Sequence, residues 1–188
     1  MADVTISGLS TGTPDKNSAV IPYSDGSTTY KTSPSGIVAA SPGCILQVKQ
    51  VVKSDTFTTT SQSYVDVTGL SISITPVSSS SNIMIMINIG NTGLNTQNTN
   101  LFRILRNNNS LPVGSTVMGS MFNVYMQNTG TIPISFSYLD SPPIGTTYPI
   151  TYKLQMKNDS GGTSTVNVHN TNSGYTTIST ITLMEVAS

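Results

Sequence analysis

The chain has 188 residues, of which only 9% are charged, and eight acidic residues balance eight Lys and Arg residues. This composition excludes the basic surface that a nucleic-acid-binding protein needs. A single cysteine, Cys44, excludes an intrachain disulfide, and we interpret it as a small buried apolar residue.

Residues 1–43 are predicted to form an extended arm, because they are dense in Gly, Pro, Ser and Thr. Asp25-Gly26 lies between two extended segments and predicts a short hairpin, since this dipeptide suits a type I′ turn. A lone hairpin is marginal in water. We therefore expect the arm to lie against a partner, with Ile21, Tyr23 and Tyr30 as its anchors. The alternative is a terminus that lies against nothing.

Residues 44–188 are predicted to form a single domain of β-strands, because apolar residues recur there at period two. We expect Gly69 to interrupt the strand that contains it, and residues 91–100 to form a polar loop. The apolar spacing of residues 117–126 fits a helix, but Gly119 and Ser120 weaken one, so we predict a strand or irregular structure there. The predicted strands cover residues 45–53, 64–67, 70–75, 83–89, 101–106, 132–138, 148–157, 166–169 and 176–186.

The strand at residues 83–89 is the one around which the domain is predicted to form. Four isoleucines share one of its faces, and Met84 and Met86 lie on the other. A strand with one solvated face would carry polar residues there instead. The last strand is also apolar on both faces, with Met184 and Val186 on the second. We therefore expect a second layer or another copy of the chain to cover these faces, with Met84, Met86, Met184 and Val186 in an oligomer interface.

Turn residues recur at about the 8–12-residue spacing of a sandwich or barrel, and no segment resembles a long helix or a βαβ unit. Two strands with apolar residues on both faces indicate that one surface of the sandwich is a protein interface. The predicted fold class is all-β, a jelly-roll β-sandwich preceded by an extended N-terminal arm.

No set of residues predicts a chemical reaction. His169 is the only histidine and has no acidic residue near it in the sequence, so a Ser-His-Asp triad is not expected. One Cys and one His do not make a structural zinc site, and the acidic residues are too scattered for a calcium loop. We therefore predict that the protein is not an enzyme, with no catalytic residue, no cofactor and no metal.

The order of several segments resembles the jelly-roll domain of virion proteins of tailed bacteriophages, which is similar in outline to the C1q/TNF-type jelly roll. The N-terminal segment Ile21-Pro-Tyr-Ser-Asp-Gly-Ser-Thr-Thr-Tyr-Lys31 resembles the attachment segments that precede such domains. The segments that carry the resemblance are Ile45-Leu-Gln-Val-Lys-Gln-Val-Val52, Tyr64-Val-Asp-Val-Thr-Gly-Leu70, the strand at 83–89, Ile134-Ser-Phe-Ser-Tyr-Leu-Asp-Ser141, Thr151-Tyr-Lys-Leu-Gln155 and Ser179-Thr-Ile-Thr-Leu-Met-Glu-Val186.

The resemblance implies a homotrimeric capsid decoration (cement) protein that binds and stabilises the major capsid protein shell. The alternative that it implies is a tail-fibre or receptor-binding protein, whose loops at 91–100, 107–116 and 141–147 face host-surface glycans. Either role places the protein in the virion. Because the sequence shows no signal peptide and no run of the ~20 apolar residues that cross a bilayer, we expect synthesis in the host cytoplasm without membrane insertion.

Overall fold

A computed structural model of the chain describes residues 21–24, 29–32, 42–94, 98–107, 109–110, 122–126, 130–142, 148–159, 161–168 and 177–188. Within these residues the structure contains strands and no helix, which confirms the predicted all-β class. The strands are β1 (Ile21–Ser24), β2 (Thr29–Thr32), β3 (Ile45–Lys53), β4 (Phe57–Thr59), β5 (Val65–Ile74), β6 (Asn82–Leu94), β7 (Asn98–Arg106), β8 (Asn109–Ser110), β9 (Phe122–Met126), β10 (Gly130–Asp140), β11 (Ile150–Asn158), β12 (Ser164–Val166) and β13 (Ser179–Val186).

The strands from β3 onward form two sheets that pack as a sandwich. The first sheet contains β3, β13, β6 and β10. Where the pairing of β6 with β13 stops, β12 takes the place of β13 beside β6, and β4 pairs with β12. The second sheet contains β5, β11, β7 and β9, with β8 also beside β7. Among the eight longest strands of the sandwich, the first pairs with the last, the second with the seventh, the third with the sixth and the fourth with the fifth. This nested antiparallel pairing is the strand order of a jelly roll.

Period-two alternation places the apolar side chains between the sheets. On β6, the side chains of Ile83, Ile85, Ile87 and Ile89 are at most 1% exposed. On β11, apolar residues alternate with outward Thr, Lys and Gln, and Leu154 is fully buried. Each fully buried aliphatic side chain contributes about 1.5–3 kcal/mol relative to an exposed one. This core is therefore the main source of stability, as the sequence pattern predicts.

Two predicted interruptions of strands are wrong. β5 continues through Gly69, which adopts a φ of 85° and lets the strand bulge away from β11 between two paired segments. β6 continues to Leu94 instead of ending at Gly90, because it changes its neighbour from β13 to β12. Only residues 95–97 of the predicted loop at 91–100 separate it from β7, and they lie outside the described residues.

Buried polar side chains join the two sheets at one end of the sandwich. The Asn100 side-chain amide donates to Thr92 Oγ1 at 2.8 Å and to the Gly93 carbonyl at 3.3 Å, and its Oδ1 accepts from Ser164 Oγ. The side chain of Asn158 donates in turn to Ser164 Oγ at 2.7 Å. Because Thr92 and Ser164 belong to the first sheet and Asn100 and Asn158 to the second, this chain of bonds fixes the position of one sheet on the other.

A second polar cluster lies at the opposite end of the sandwich. Arg106 Nη1 donates to both carboxylate oxygens of Asp140, at 2.7 and 2.8 Å, and the Tyr152 hydroxyl donates to the same carboxylate at 2.7 Å. Burial and the hydrogen bond to Asp140 raise the pKa of Tyr152 above its ordinary value. Asp140 belongs to the first sheet, whereas Arg106 and Tyr152 belong to the second, so both ends of the sandwich carry polar links between the sheets.

Glu185 fixes the connection between β5 and β6 at that same end. Its carboxylate accepts from Gln47 Nε2 at 2.6 Å, from the Val77 N–H at 2.8 Å and from the Ser78 N–H at 3.1 Å. Burial raises the pKa of Glu185, but these hydrogen bonds outweigh that effect and hold the pKa below its ordinary value. The ionised carboxylate is therefore the form that the fold favours.

Within the predicted arm, β1 pairs with β2 antiparallel, with Tyr23 opposite Tyr30 and Ile21 opposite Thr32. The turn at 25–28 and the side chains of the predicted anchors Ile21, Tyr23 and Tyr30 lie outside what the structure describes. In the segment 117–126, which is predicted as a strand or irregular structure, residues 122–126 form the strand β9.

Candidate interaction surface

The outer face of the first sheet carries a continuous row of apolar side chains that runs across four strands. Val48 of β3 lies opposite Met184 of β13, Met184 lies opposite Met84 of β6, and Met84 lies opposite Leu139 of β10. Directly opposite side chains on one face of an antiparallel pair are within contact distance. The row is therefore one apolar surface and not a set of scattered residues.

More apolar side chains lie on either side of this row. Met86 and Val52 are outward residues of β6 and β3 on one side, and Ile45 lies opposite Val186 on the other. Val48 is 55% exposed, Val52 51%, Leu139 47% and Met86 38%. Large apolar side chains that remain this exposed in adjacent positions are typical of protein interfaces. We call this surface the apolar face.

Among the residues that the structure describes, the apolar face contains no charged side chain. Its remaining positions are Ser, Thr, Asn or Gln, and the hydroxyl of Ser135 donates to Asn88 Oδ1 within the face. The outward residues of the four strands are Ile45, Val48, Gln50 and Val52 on β3, Thr180, Thr182, Met184 and Val186 on β13, Asn82, Met84, Met86 and Asn88 on β6, and Ser135, Ser137 and Leu139 on β10.

All four residues of the predicted oligomer interface lie on this face. Met84 and Met184 are direct partners across β6 and β13, Met86 is the next outward residue of β6, and Val186 is the next outward residue of β13. Sequence reasoning did not single out Leu139, the outward residue of β10 that lies opposite Met84. In this single chain, Met86 remains 38% exposed, so the described residues do not provide the covering that the sequence led us to expect.

A groove of about 510 Å³ lies on the second sheet, where β5 bulges away from β11. It is lined by Asp66, Ser71, Asn107, Thr151 and Lys153, among others. Lys153 Nζ donates to Asp66 at 2.8 Å. Hydrogen bonds from Lys153 and Gln155 lower the pKa of Asp66, which is therefore ionised at neutral pH. The groove offers polar donors and acceptors that suit a neutral hydroxylated ligand.

The residues considered for catalysis and metal binding do not come together in the described part of the structure. No group of three or more His, Cys, Asp or Glu side chains that could hold a metal ion occurs there. Cys44 is half-buried, and His169 lies outside the described residues. The described residues contain no helix that is long and apolar enough to span a membrane.

No family model matches the sequence. No curated protein matches it either. Among solved structures, one that is similar is the structure of infectious bursal disease virus Gx strain, with a TM-score of 0.36 and 12% sequence identity. The match covers 90% of this chain and 42% of that chain. A likeness of this size supports no conclusion about function.

Proposed function

We propose that this protein is a structural component of a tailed-phage virion, a homotrimeric capsid decoration protein that binds and stabilises the major capsid shell. The observation that supports the proposal is the apolar face, which leaves Val48, Leu139 and Met86 exposed on a regular four-stranded surface. A surface of this kind suits lasting attachment to other protein subunits. The resemblance of the sequence to phage virion proteins is the reason for proposing a phage particle as the assembly.

In this proposal the arm and the sandwich have different tasks. The sandwich, with polar links between its sheets at both ends, is a rigid body that meets other proteins through the apolar face. The arm, residues 1–43, lies across the capsid shell and binds it through Ile21, Tyr23 and Tyr30. Extended segments that become ordered on a partner can cover a large surface at low affinity per unit area.

Deletion of residues 1–40 tests the arm. The truncated protein should fold and assemble like the full chain but should lose binding to purified shells, measured by co-sedimentation. A triple substitution of Ile21, Tyr23 and Tyr30 by serine should weaken shell binding in the same direction. Full shell binding by the truncated protein would show that the arm is not the attachment segment.

Copy number tests the capsid role itself. A decoration protein should occur in purified virions at a ratio near that of the major capsid protein, whereas a tail-fibre protein should occur at a small fraction of it. Quantitative mass spectrometry of intact virions measures this ratio. A small fraction would contradict the capsid role.

A second candidate function is supported by the groove on the second sheet. A tail-fibre or receptor-binding protein would bind a host-surface glycan there, through Asp66, Asn107 and Lys153. The full chain should then bind specific sugars on a glycan array. Lys153→Ala should weaken that binding about tenfold, as the loss of a charged hydrogen bond does. Lys49→Ala, at an exposed site on β3, is the matched control. If no glycan binds, this candidate is wrong.

A further inference from the structure

We propose that the outer face of the second sheet binds an acidic sugar, whose charged group lies between Arg103 and Lys157 and whose hydroxyl groups occupy the groove beside Asp66. The inference rests on the second candidate function, because it names the class of glycan that the groove would take. It is independent of the capsid role, since this face lies on the opposite side of the sandwich from the apolar face. Three features support an acidic sugar: two cations without a carboxylate partner, an aromatic ring beside both of them, and a polar link to the groove.

Two positive charges on this face have no negative charge to balance them. Arg103 and Lys157 are outward residues of the neighbouring strands β7 and β11. Among the described residues, neither side chain forms an ion pair, and Asp159, two residues beyond Lys157, does not pair with it. A third cation of the same face, Lys153, is already paired with Asp66 at 2.8 Å. The surplus is notable in a chain that carries only eight Lys and Arg residues.

The ring of Tyr64 lies beside both of these charges. The guanidinium carbon of Arg103 is 4.1 Å from the ring centroid, and Lys157 Nζ is 5.4 Å from it. The two charges are therefore within about 10 Å of each other, which is the Debye length at 0.1 M salt, and they repel each other. Contact with the negative face of the ring offsets part of this repulsion. An anion bound between the two cations would offset more of it, so the pair favours an anionic ligand.

Gln155 orients the Arg103 guanidinium and leaves both of its Nη atoms for a ligand. Arg103 Nε donates to Gln155 Oε1 at 2.7 Å, and no hydrogen bond within the described residues uses either Nη atom. A guanidinium binds a carboxylate, phosphate or sulfate group through two parallel N–H donors. Because Gln155 and Tyr64 already hold the Arg103 side chain, binding costs less conformational freedom than at a mobile arginine.

Hydrogen bonds continue from Arg103 into the groove. Gln155 Nε2 donates to Asp66 Oδ1, and Lys153 Nζ donates to Asp66 Oδ2 at 2.8 Å. Asp66 and Lys153 line the groove of about 510 Å³, together with Thr151. A ligand that extends from Arg103 into the groove would therefore meet cations at one end and polar donors and acceptors at the other. An acidic group joined to several hydroxyl groups matches this arrangement, and that is the chemistry of an acidic sugar.

Two other kinds of anionic partner fit this face less well. Nucleic acid is bound by a basic surface that contacts several successive phosphates, whereas this face has two uncompensated cations. A protein interface has an apolar centre. The side chains between Arg103 and the groove are polar, namely Gln155, Asp66 and Lys153. The face therefore suits an acidic sugar better than a protein or a nucleic acid.

Matched pairs of ligands test the proposal on the full chain. Isothermal titration calorimetry compares tetragalacturonate, which carries carboxylates, with its neutral carboxyl-reduced form. Maltotetraose phosphate and maltotetraose sulfate are each compared with unmodified maltotetraose, which identifies the acidic group that the site prefers. At least one acidic sugar should bind about tenfold or more tightly than its neutral counterpart, because charged hydrogen bonds are added. Its affinity should fall as the salt concentration rises.

Substitutions then locate the acidic group. Arg103→Gln and Lys157→Gln should each weaken binding of the acidic sugar about tenfold and leave binding of the neutral sugar unchanged. Arg103→Lys keeps the charge but loses the parallel donors, so its affinity should lie between those of the wild type and Arg103→Gln. Lys49→Gln removes the same charge from an exposed position on β3 and should bind like the wild type. Lys157→Gln decides the outcome if an Arg103 variant fails to fold, as judged by circular dichroism.

Three results would overturn the proposal: no acidic sugar binds, acidic and neutral sugars bind equally, or the Arg103 and Lys157 variants keep the wild-type affinity. A tetraglutamate peptide carries as many side-chain carboxylates as tetragalacturonate but no sugar hydroxyls, so equal binding of the two would overturn the assignment to a sugar. Equal binding of acidic and neutral sugars would leave the glycan candidate standing and remove only the acidic class. The capsid role is decided by copy number and shell binding, and it therefore fails separately.

Discussion

Replacing Asn100 by alanine should lower the free energy of unfolding by about 3 kcal/mol. The substitution removes three hydrogen bonds, to Thr92, Gly93 and Ser164, in a fully buried site. Each bond contributes about 1 kcal/mol net. The Ser164 hydroxyl would also lose its acceptor in a place that water does not reach. A loss of this size is a large part of the 5–15 kcal/mol that holds a typical domain folded.

Urea unfolding at a fixed protein concentration measures the loss as a lower midpoint with an unchanged slope. Asn123→Ala makes the same chemical change at an exposed position and should shift the free energy by less than about 0.5 kcal/mol. Ser164→Ala added to Asn100→Ala should cost less than the sum of the two single changes, because it removes the donor left without a partner. If Asn100→Ala costs no more than Asn123→Ala, the buried network does not stabilise the sandwich.

Two further substitutions test backbone packing and acid stability. Gly90→Ala should lower the free energy of unfolding by about 2 kcal/mol or more, because a Cβ there would lie 2.3 Å from the Ile178 carbonyl oxygen. A Cβ at Gly130 would meet no atom within 4 Å, so Gly130→Ala should be close to neutral in the same urea assay. Equal effects would contradict the close approach of these backbones. The pKa of Glu185 is held below the ordinary 4.5, so its contribution to stability is complete above that pH and is lost as pH falls through the lowered folded value. The thermal midpoint of the wild type should therefore fall below about pH 4.5, and that of Glu185→Gln should fall less. Parallel curves of midpoint against pH for the two proteins would contradict this role.

The elements that sequence reasoning predicted well depend on local pattern. Alternating isoleucines between Ile83 and Ile89 fix both the strand and its buried face, because side chains alternate whatever the strand pairs with. Apolar residues on the second face of the same strand, Met84 and Met86, likewise identify the candidate surface. A pattern of period two therefore predicts which residues point outward before any pairing is known.

The elements that sequence reasoning missed depend on contacts with residues far away in the sequence. Residues 91–100 have the composition of a loop, yet Thr92 and Asn100 are fully buried because they bond to each other and to residues near position 164. Gly69 looks like a strand end, but its positive φ serves a bulge within a strand. Leu139 joins the apolar row only through its register with Met84, which no local pattern specifies.

The polar links at the two ends of the sandwich also bear on what can cover the apolar face. Asn100 and Ser164 join the sheets at one end, and Arg106 and Asp140 join them at the other, so the two inner faces are held together and the apolar row stays on the outside. Any burial of the apolar row would then come from the arm or from another molecule. In the proposed function the arm attaches to the capsid shell, which leaves the apolar face to another molecule. In the proposed virion role, other protein subunits supply the covering surface, because contact with them removes the apolar row from water.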